Sequence, residues 1–291
     1  MSSLDRHCLR PLTLAVLSAI ACIVAGASRS VASSRSIEVD GIDAARLHGE
    51  YNLLGRKIGI GQVEIGRPAV FGLDKIPADR ATNPAGVFLG EHRAGSEIGL
   101  DGHAQGVASV MVSHLKARMG VAPGAQLYSG VAVFEEGSSR QARECLAAQT
   151  VAQQNSNDVR SINFSFGEPL SLDSRRREAV LDGNALLTLC IDWSANAHNV
   201  LYVIAGNQGY GGISIPTDQF NGMTIAASRP FDGIYSRMDT SSLGGAFDGA
   251  FSNLVGQETN TNGRRLISLL APGRDVSLVN AEGMVYESTG T

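Results

Sequence analysis

The sequence predicts an α/β fold in which a parallel β-sheet carries α-helices on both faces. The strongest single sign is the segment at residues 200–205, Val-Leu-Tyr-Val-Ile-Ala, which has no charge and is almost wholly aliphatic or β-branched. Such a composition is typical of a strand covered on both faces, as strands of parallel sheets are. Segments of strand length also alternate with segments of helical length along most of the chain, and this alternation indicates β-α-β units.

The predicted elements follow one another from residue 57 onward. The predicted strands are residues 57–63, 126–134, 159–166, 200–205, 223–227, 266–271 and 276–280. The predicted helices are residues 102–116, 138–154 and 175–197. The second helix carries Ala142, Leu146 and Val151 at the spacing of a buried face, so it is expected to pack on the sheet.

The amino-terminal residues have the pattern of an export signal. Arg6 and Arg10 precede an apolar stretch at residues 12–27, and two small-residue cleavage sites follow at residues 25–27 and 30–32. The stretch is too short, and too soon followed by Ser28 and Arg29, to be a membrane span. We therefore expect a signal peptide at residues 1–32, a short segment at 33–54 and one domain at 55–291. The mature protein is expected to be secreted or periplasmic, with no membrane association.

Composition and cysteine content narrow the function classes. The formal net charge of −4 offers no basic field for nucleic acid, so a nucleic-acid partner is not expected. Cys8 and Cys22 leave with the signal peptide, whereas Cys145 and Cys190 remain, and spacing alone leaves their pairing open. No zinc-binding spacing occurs, and nothing in the sequence indicates an oligomeric state.

Five segments resemble the turns of the subtilisin-like serine peptidases, in that family's order. They are Gly-Val-Ala-Pro-Gly-Ala at 120–125, Ile-Asn-Phe-Ser-Phe-Gly at 162–167, Ala-Gly-Asn-Gln-Gly at 205–209, Ile-Pro at 215–216 followed by Met-Thr-Ile-Ala-Ala at 223–227, and Leu-Ala-Pro-Gly at 270–273. The resemblance extends over about residues 55–291.

This resemblance implies a three-layer α/β domain that cleaves peptide or protein substrates. The chemistry implied is a Ser nucleophile, a His base and an Asp that orients the His. Asn207 would supply the carboxamide of the oxyanion hole, and Ser165, Gly167 and Pro216 would line the substrate cleft. The resemblance implies no cofactor; it allows bound calcium, for which the sequence offers no identifiable site.

The expected acid and base positions depart from the family. Gln62 stands at the position we assign to the Asp, and Gly106 at the position we assign to the His. An amide does not stabilise an imidazolium as a carboxylate does, and glycine accepts no proton. Glu64 lies two residues beyond Gln62, and His103 lies about one helical turn before Gly106, so these two residues can form a displaced pair. The alternative is a surface or capping Glu and an ordinary His at a helix start.

The last four residues, Ser-Thr-Gly-Thr at 288–291, resemble the approach to the family's nucleophile. We expect the serine to be the residue after Thr291 and to open a helix buried between the layers. The chain as printed is accordingly expected to be a fragment without peptidase activity. Two functions follow: a secreted endopeptidase completed by residues beyond Thr291, or a non-catalytic relative that keeps the peptide cleft.

Overall fold

The computed structural model describes residues 37–38, 41–116, 118–132, 140–170, 173–175, 180–206, 214–231, 234–238 and 259–290. The predicted signal peptide, residues 1–32, and the proposed oxyanion-hole residue Asn207 lie outside the described residues.

Strands and helices alternate along the described chain. The strands are β1 (Gly59–Glu64), β2 (Gly86–Leu89), β3 (His92–Arg93), β4 (His114–Leu115), β5 (Arg118–Met119), β6 (Gln126–Val131), β7 (Val159–Phe164), β8 (Leu201–Ala205), β9 (Met223–Phe231), β10 (Ile234–Arg237), β11 (Leu269–Pro272), β12 (Val276–Val279) and β13 (Val285–Ser288). The helices are α1 (Ala44–Tyr51), α2 (Asp79–Thr82), α3 (Gly102–Val112), α4 (Arg140–Ala152), α5 (Gln154–Asn157) and α6 (Leu186–His198).

A predominantly parallel sheet forms the centre of the domain. Its strand order is β10-β9-β8-β7-β1-β6-β2-β3, with β11 pairing to β9. The strands β2, β6, β1, β7, β8, β9 and β11 are parallel to their neighbours, and β3 and β10 are antiparallel additions. The carboxyl ends of β1, β7, β8 and β11 therefore lie at the same edge of the sheet. The predicted α/β fold with a parallel sheet is confirmed, although the antiparallel strands had not been predicted.

Helices cover both faces of this sheet. On one face, α4 and α6 bury Val151 and Ile191 in a core with Val63 of β1 and Ile162 of β7. On the other face, α3 packs Ala108 and Val112 against Leu127 of β6, with Ile60 of β1 beside them. Successive residues of a strand point to opposite faces. Gln62 and Glu64 therefore point to the α3 face of the sheet.

The third predicted helix starts later than expected. It begins at Leu186, whereas the pattern had placed its start at residue 175. The Arg175 guanidinium instead bonds to the carboxylates of Asp173 and Asp182, and Gly183 has a left-handed φ of +80°. Residues 173–175 and 180–185 are accordingly non-helical, since a left-handed turn interrupts an α-helix.

Cys145 of α4 and Cys190 of α6 form a disulfide, which settles the pairing that spacing had left open. The bond joins the two helices that cover the same face of the sheet. Among the described residues, none of the helices has both the length and the apolar composition needed to cross a membrane.

Candidate active site

Two elements bring an acidic and a basic side chain together at the carboxyl edge of the sheet. Glu64 is the last residue of β1, and His103 is the second residue of α3. Asp101 caps this helix, because its Oδ1 accepts a hydrogen bond from the Ala104 amide at 2.7 Å. Gly66 lets the start of α3 approach the end of β1, since a Cβ at this position would collide with the Asp101 side chain. The cap and the glycine thus place the first turn of α3 directly over Glu64.

The imidazole of His103 is hydrogen-bonded to the carboxylate of Glu64. Nδ1 of His103 lies 3.0 Å from Oε2 of Glu64. The Glu64 side chain is fully buried, whereas the His103 side chain is 58% exposed. An ionised carboxylate can only accept, so Nδ1 carries the proton in this arrangement. The exposed ring leaves Nε2 available to another group. The prediction of a surface Glu at position 64 is therefore wrong.

Burial and pairing shift the pKa values of both groups. Burial raises the pKa of Glu64, and the hydrogen bond from His103 acts in the opposite direction. The hydrogen bond to Glu64 raises the pKa of His103 above its ordinary value, although partial burial of the ring opposes this. The negative charge of Asp101 raises the pKa of both groups. The pair thus favours an imidazole that holds a proton more strongly than a free histidine does.

Gln62, the residue assigned to the family's Asp position, is buried and hydrogen-bonded inside the domain. Its side chain is completely buried beneath α3. Nε2 of Gln62 donates to the carbonyl of Ala104 at 3.3 Å and to Oγ of Ser129 at 3.2 Å. The strand continues past Gln62, so the edge position belongs to Glu64. The assignment of the family's Asp position to Gln62 stays a prediction, and the carboxylate observed at this edge is that of Glu64, the possible substitute.

Gly106, assigned to the family's His position, has no room for a side chain. A Cβ at this position would lie 2.8 Å from the Tyr286 hydroxyl and 3.2 Å from Cδ1 of Leu278. Both neighbours belong to the β12–β13 hairpin, which packs on α3. A base at position 106 would therefore displace the hairpin, and the histidine of this helix is the one at its first turn.

The predicted pocket residues differ in their exposure. Ser165 is 8% exposed, and its Oγ accepts a hydrogen bond from Nδ2 of Asn163 at 2.5 Å. Gly167 is partly exposed and lies against Ser214. Pro216 is buried, so its ring is not presented to a cleft in this structure. The prediction that Ser165, Gly167 and Pro216 line a substrate cleft stays a prediction.

The last described residues lie at the carboxyl edge of β11. The Gly290 amide donates to the carbonyl of Gly273 at 2.9 Å, and the Asp275 amide donates to Oγ1 of Thr289 at 3.1 Å. Gly273 directly follows β11, which is parallel to its neighbour β9. Thr289 and Gly290 therefore lie at the same edge of the sheet as Glu64.

Some residues around the site had not been identified from the sequence. Asp101 has a recognisable signal, because Asp before a helical segment is a common N-cap. Asn163 and Tyr286 carry no such signal: Asn163 bonds to Ser165 at the end of its own strand, and Tyr286 reaches Gly106 from a hairpin distant in sequence. Within the described ranges, no three His, Cys, Asp or Glu side chains gather as a metal site would require.

Comparisons with known proteins agree with the fold. No family model and no curated protein matches the chain. The chain is similar to the PatG macrocyclase in complex with peptide, at a TM-score of 0.57 and 15% identity over 87% of this chain and 76% of that one. It is similar to the self-cleaved protease domain of PatA, at a TM-score of 0.54 and 16% identity over 82% and 75% of the two chains. The MycP3 protease of the type VII (ESX-3) secretion system gives a TM-score of 0.53 and 16% identity over 85% and 70%.

These structures define the class of fold. The chain has the three-layer α/β fold of the subtilisin-like type, with a mostly parallel sheet and helices on both faces. At these identities the likeness shows the fold alone, and the reaction has to be argued from the site.

Proposed function

We propose that this protein is a subtilisin-like serine peptidase domain in which Glu64 and His103 are the acid and the base. The hydrogen bond between Nδ1 of His103 and the buried carboxylate of Glu64 carries the proposal. In Ser-His-Asp enzymes the acid accepts from Nδ1, which fixes the tautomer and points Nε2 at the serine. Glutamate takes the place of aspartate here.

The pair fits both proton transfers of peptide hydrolysis. Nε2 of His103 takes the proton of the serine hydroxyl as its oxygen attacks the peptide carbonyl, and then gives that proton to the leaving amine. Water releases the acyl group through the same base. Glu64 stabilises the imidazolium that forms between the two transfers. Asn207 is proposed as an oxyanion donor on the resemblance, because its position is outside the described residues.

The nucleophile is proposed to follow Thr291. Tyr286 of β13 lies against Gly106 of α3, and Thr289 and Gly290 follow it at the edge that also carries Glu64, so a residue soon after them is proposed to lie near His103. Residues 33–291 by themselves, without that serine, are therefore proposed to be inactive. The reaction uses side chains and water, and it needs no cofactor.

A peptide or protein is the proposed substrate, and export is the proposed route. Two of the similar structures are named proteases, and a third, the PatG macrocyclase, is in complex with peptide. The disulfide between Cys145 and Cys190 supports an oxidising compartment, since such bonds persist mainly in secreted and periplasmic proteins.

A fluorophosphonate probe tests the assignment. It is applied to a protein that continues from Thr291 through the residues expected to hold the serine and its helix. We expect labelling of that serine, with loss in His103→Ala. Glu64→Gln should slow labelling by about four orders of magnitude, as an acid-to-amide change does in a serine protease. Gln62→Met is the matched control and should retain labelling.

The same experiment distinguishes a peptidase from the alternative function, a peptide-binding relative without catalysis. If the longer protein stays unlabelled but holds extended peptides, it is a peptide-binding relative, and the peptidase proposal is wrong. Labelling that survives His103→Ala would equally contradict the roles given to the pair.

A further inference from the structure

The contact with His103 uses only one of the two carboxylate oxygens of Glu64. Oε2 is bonded to His103, whereas Oε1 is buried and makes no well-formed hydrogen bond in the described structure. A buried polar atom without a partner destabilises a protein by about 1–3 kcal/mol, and by more when it is charged. An ionised Glu64 therefore needs a donor on the side opposite to His103.

Ser165 is placed to be that donor. Val63 of β1 pairs with Phe164 of β7, so the following residues, Glu64 and Ser165, are neighbours across the two strands. Both point to the α3 face, because side chains alternate along each strand and Gln62 points to that face. The Ser165 hydroxyl is also close enough to lower the pKa of Glu64, against the larger effect of burial.

Asn163 orients the Ser165 hydroxyl. Its Nδ2 donates to Oγ of Ser165 at 2.5 Å. A hydroxyl has one proton to donate and two lone pairs, so accepting from Asn163 leaves its own proton for another acceptor. Asn163 and Ser165 are on the same strand face as Glu64, and the buried Oε1 is the acceptor without a partner.

We propose that Ser165, held by Asn163, is a positioning residue that donates its hydroxyl hydrogen to Oε1 of Glu64. The proposal rests on the role given to Glu64 and His103 above. Hydrogen bonds around catalytic groups are often long before substrate is bound and tighten in the complex. Ser165 then acts through Glu64, by keeping a buried carboxylate ionised and fixed, and its hydroxyl does not line the substrate cleft.

The other ionisable groups around Glu64 shift its pKa in opposite directions. His103 favours the carboxylate, and Asp101, at the start of α3, opposes it. Tyr286 of β13 also faces Asp101, and burial together with that charge raises its own pKa. None of these groups is altered by a substitution at Ser165, so the contribution of the hydroxyl can be measured by itself.

The test is a pH titration of the Glu64 carboxyl carbon by NMR, which needs no peptidase activity. A hydrogen bond to the charged form lowers a pKa, so its loss raises it. In Ser165→Ala the midpoint of Glu64 should move to higher pH than in the unaltered protein. Asn163→Ala should move it in the same direction by less, and should add nothing when combined with Ser165→Ala. Ser165→Thr keeps a hydroxyl and should restore the midpoint.

Ser161 provides the matched control. It lies on the same strand and face, where it pairs with Ile60. Ser161→Ala should leave the Glu64 midpoint unchanged. Equal midpoints in Ser165→Ala and Ser161→Ala would overturn the proposal. If Ser165→Ala does not fold, Asn163→Ala decides, and an unchanged midpoint in that variant also overturns it. Fluorophosphonate labelling reports on the peptidase proposal separately, so either one can fail alone.

Discussion

Nδ1 of His103 lies 3.0 Å from Oε2 of Glu64, and this contact joins a fully buried carboxylate to a largely exposed imidazole. The carboxylate cannot leave the ring without remaining buried and unpaired, so the contact is expected to persist in solution. The geometry has measurable consequences for the titration of the histidine.

Glu64→Gln should lower the pKa of His103. The hydrogen bond that His103 donates to Glu64 is the largest cause of the upward shift in its pKa, and a carboxamide keeps the shape of the side chain without the charge. The His103 ring protons, followed by NMR against pH, give the measurement. Glu91→Gln, at an exposed carboxylate, is the control. Identical titrations in the two variants would contradict the pairing.

The raised pKa of His103 also fixes the direction of a pH effect on activity. A general base has to be neutral to accept a proton. Peptidase activity of the extended protein should therefore rise with pH through an inflection above the ordinary histidine value of 6.5. In Glu64→Gln the residual activity should have its inflection at lower pH. A pH profile of kcat/KM checks both statements.

The sequence predicted the parallel sheet, its face helices and the start of α3 at residue 102 from apolar runs and helical lengths, although the Asp101 cap was not identified. The resemblance assigned the family's Asp and His positions to Gln62 and Gly106, neither of which can act as acid or base. Glu64 and His103, two and three residues away, were the possible substitutes, and the structure joins them by a hydrogen bond. A shift of two along a strand, or of about one turn along a helix, keeps a side chain on the same face. The face on which a side chain lies therefore does not identify which residue stands at the carboxyl edge of the sheet. The predicted strand ended at Val63, one residue before the Glu64 that forms its end.

Gly106→Ala should destabilise the protein by about 1–3 kcal/mol, the range for overpacking. The new methyl group would lie 2.8 Å from the Tyr286 hydroxyl and 3.2 Å from Leu278. Urea unfolding measures the change. Gly102→Ala, in the first turn of the same helix, has no atom within 4 Å of the new group and should be neutral or slightly stabilising. Tyr286→Phe should relieve part of the loss at Gly106; equal stability of the two alanine variants would contradict the close packing.

Stability should fall with rising pH because of two buried carboxyl groups, Glu144 of α4 and Glu168. Their carboxylate oxygens make no well-formed hydrogen bond in the described structure, and the charge of Arg140 opposes the effect of burial on both groups without cancelling it. Burial, followed by the charge of Glu168, raises the pKa of Glu144 to about 9. The folded pKa exceeds the unfolded value, so this stabilisation is complete below about pH 4.5 and is lost as pH rises toward 9.

The slope for one proton held only by the folded state is about 1.4 kcal/mol per pH unit. Urea unfolding between pH 5 and 9 should show this trend. Glu144→Gln should flatten it and be more stable than the unaltered protein at pH 8. Glu91→Gln serves as the exposed control and should keep the slope. A slope that survives Glu144→Gln would assign it to other groups.

Removal of the disulfide should lower stability by about 4 kcal/mol. The bond joins residues 45 apart in sequence, and closing a loop of this length restricts the unfolded chain by about that amount. The double variant Cys145→Ala with Cys190→Ala is compared with the oxidised protein by urea unfolding. Reduction of the unaltered protein should give a similar loss, and no change on reduction would show that the bond is absent in solution.

Part of the α3 face of the sheet is exposed on the β8–β9–β11 side. By register, Leu201 and Val203 of β8, Ile225 of β9 and Leu269 of β11 point to this face. Leu201 is 41% exposed and Leu269 is 53% exposed. The helix α3 packs farther along the same face, on β6, and also contacts β12 of the separate hairpin. Exposed apolar surface of this kind usually marks a site that another segment covers.

The resemblance predicts a helix after Thr291, and we expect that helix to cover this apolar surface. Residues 33–291 alone should therefore bind a hydrophobic dye, and the extended protein should bind less. Leu201→Asn combined with Leu269→Asn should reduce dye binding by the short chain. Leu189→Asn, at a leucine of α6 that is 51% exposed on the other side of the sheet, should reduce it much less. A short chain that melts cooperatively without binding dye would show that this face needs no cover. The case for a helix beyond Thr291 would then lose its structural support.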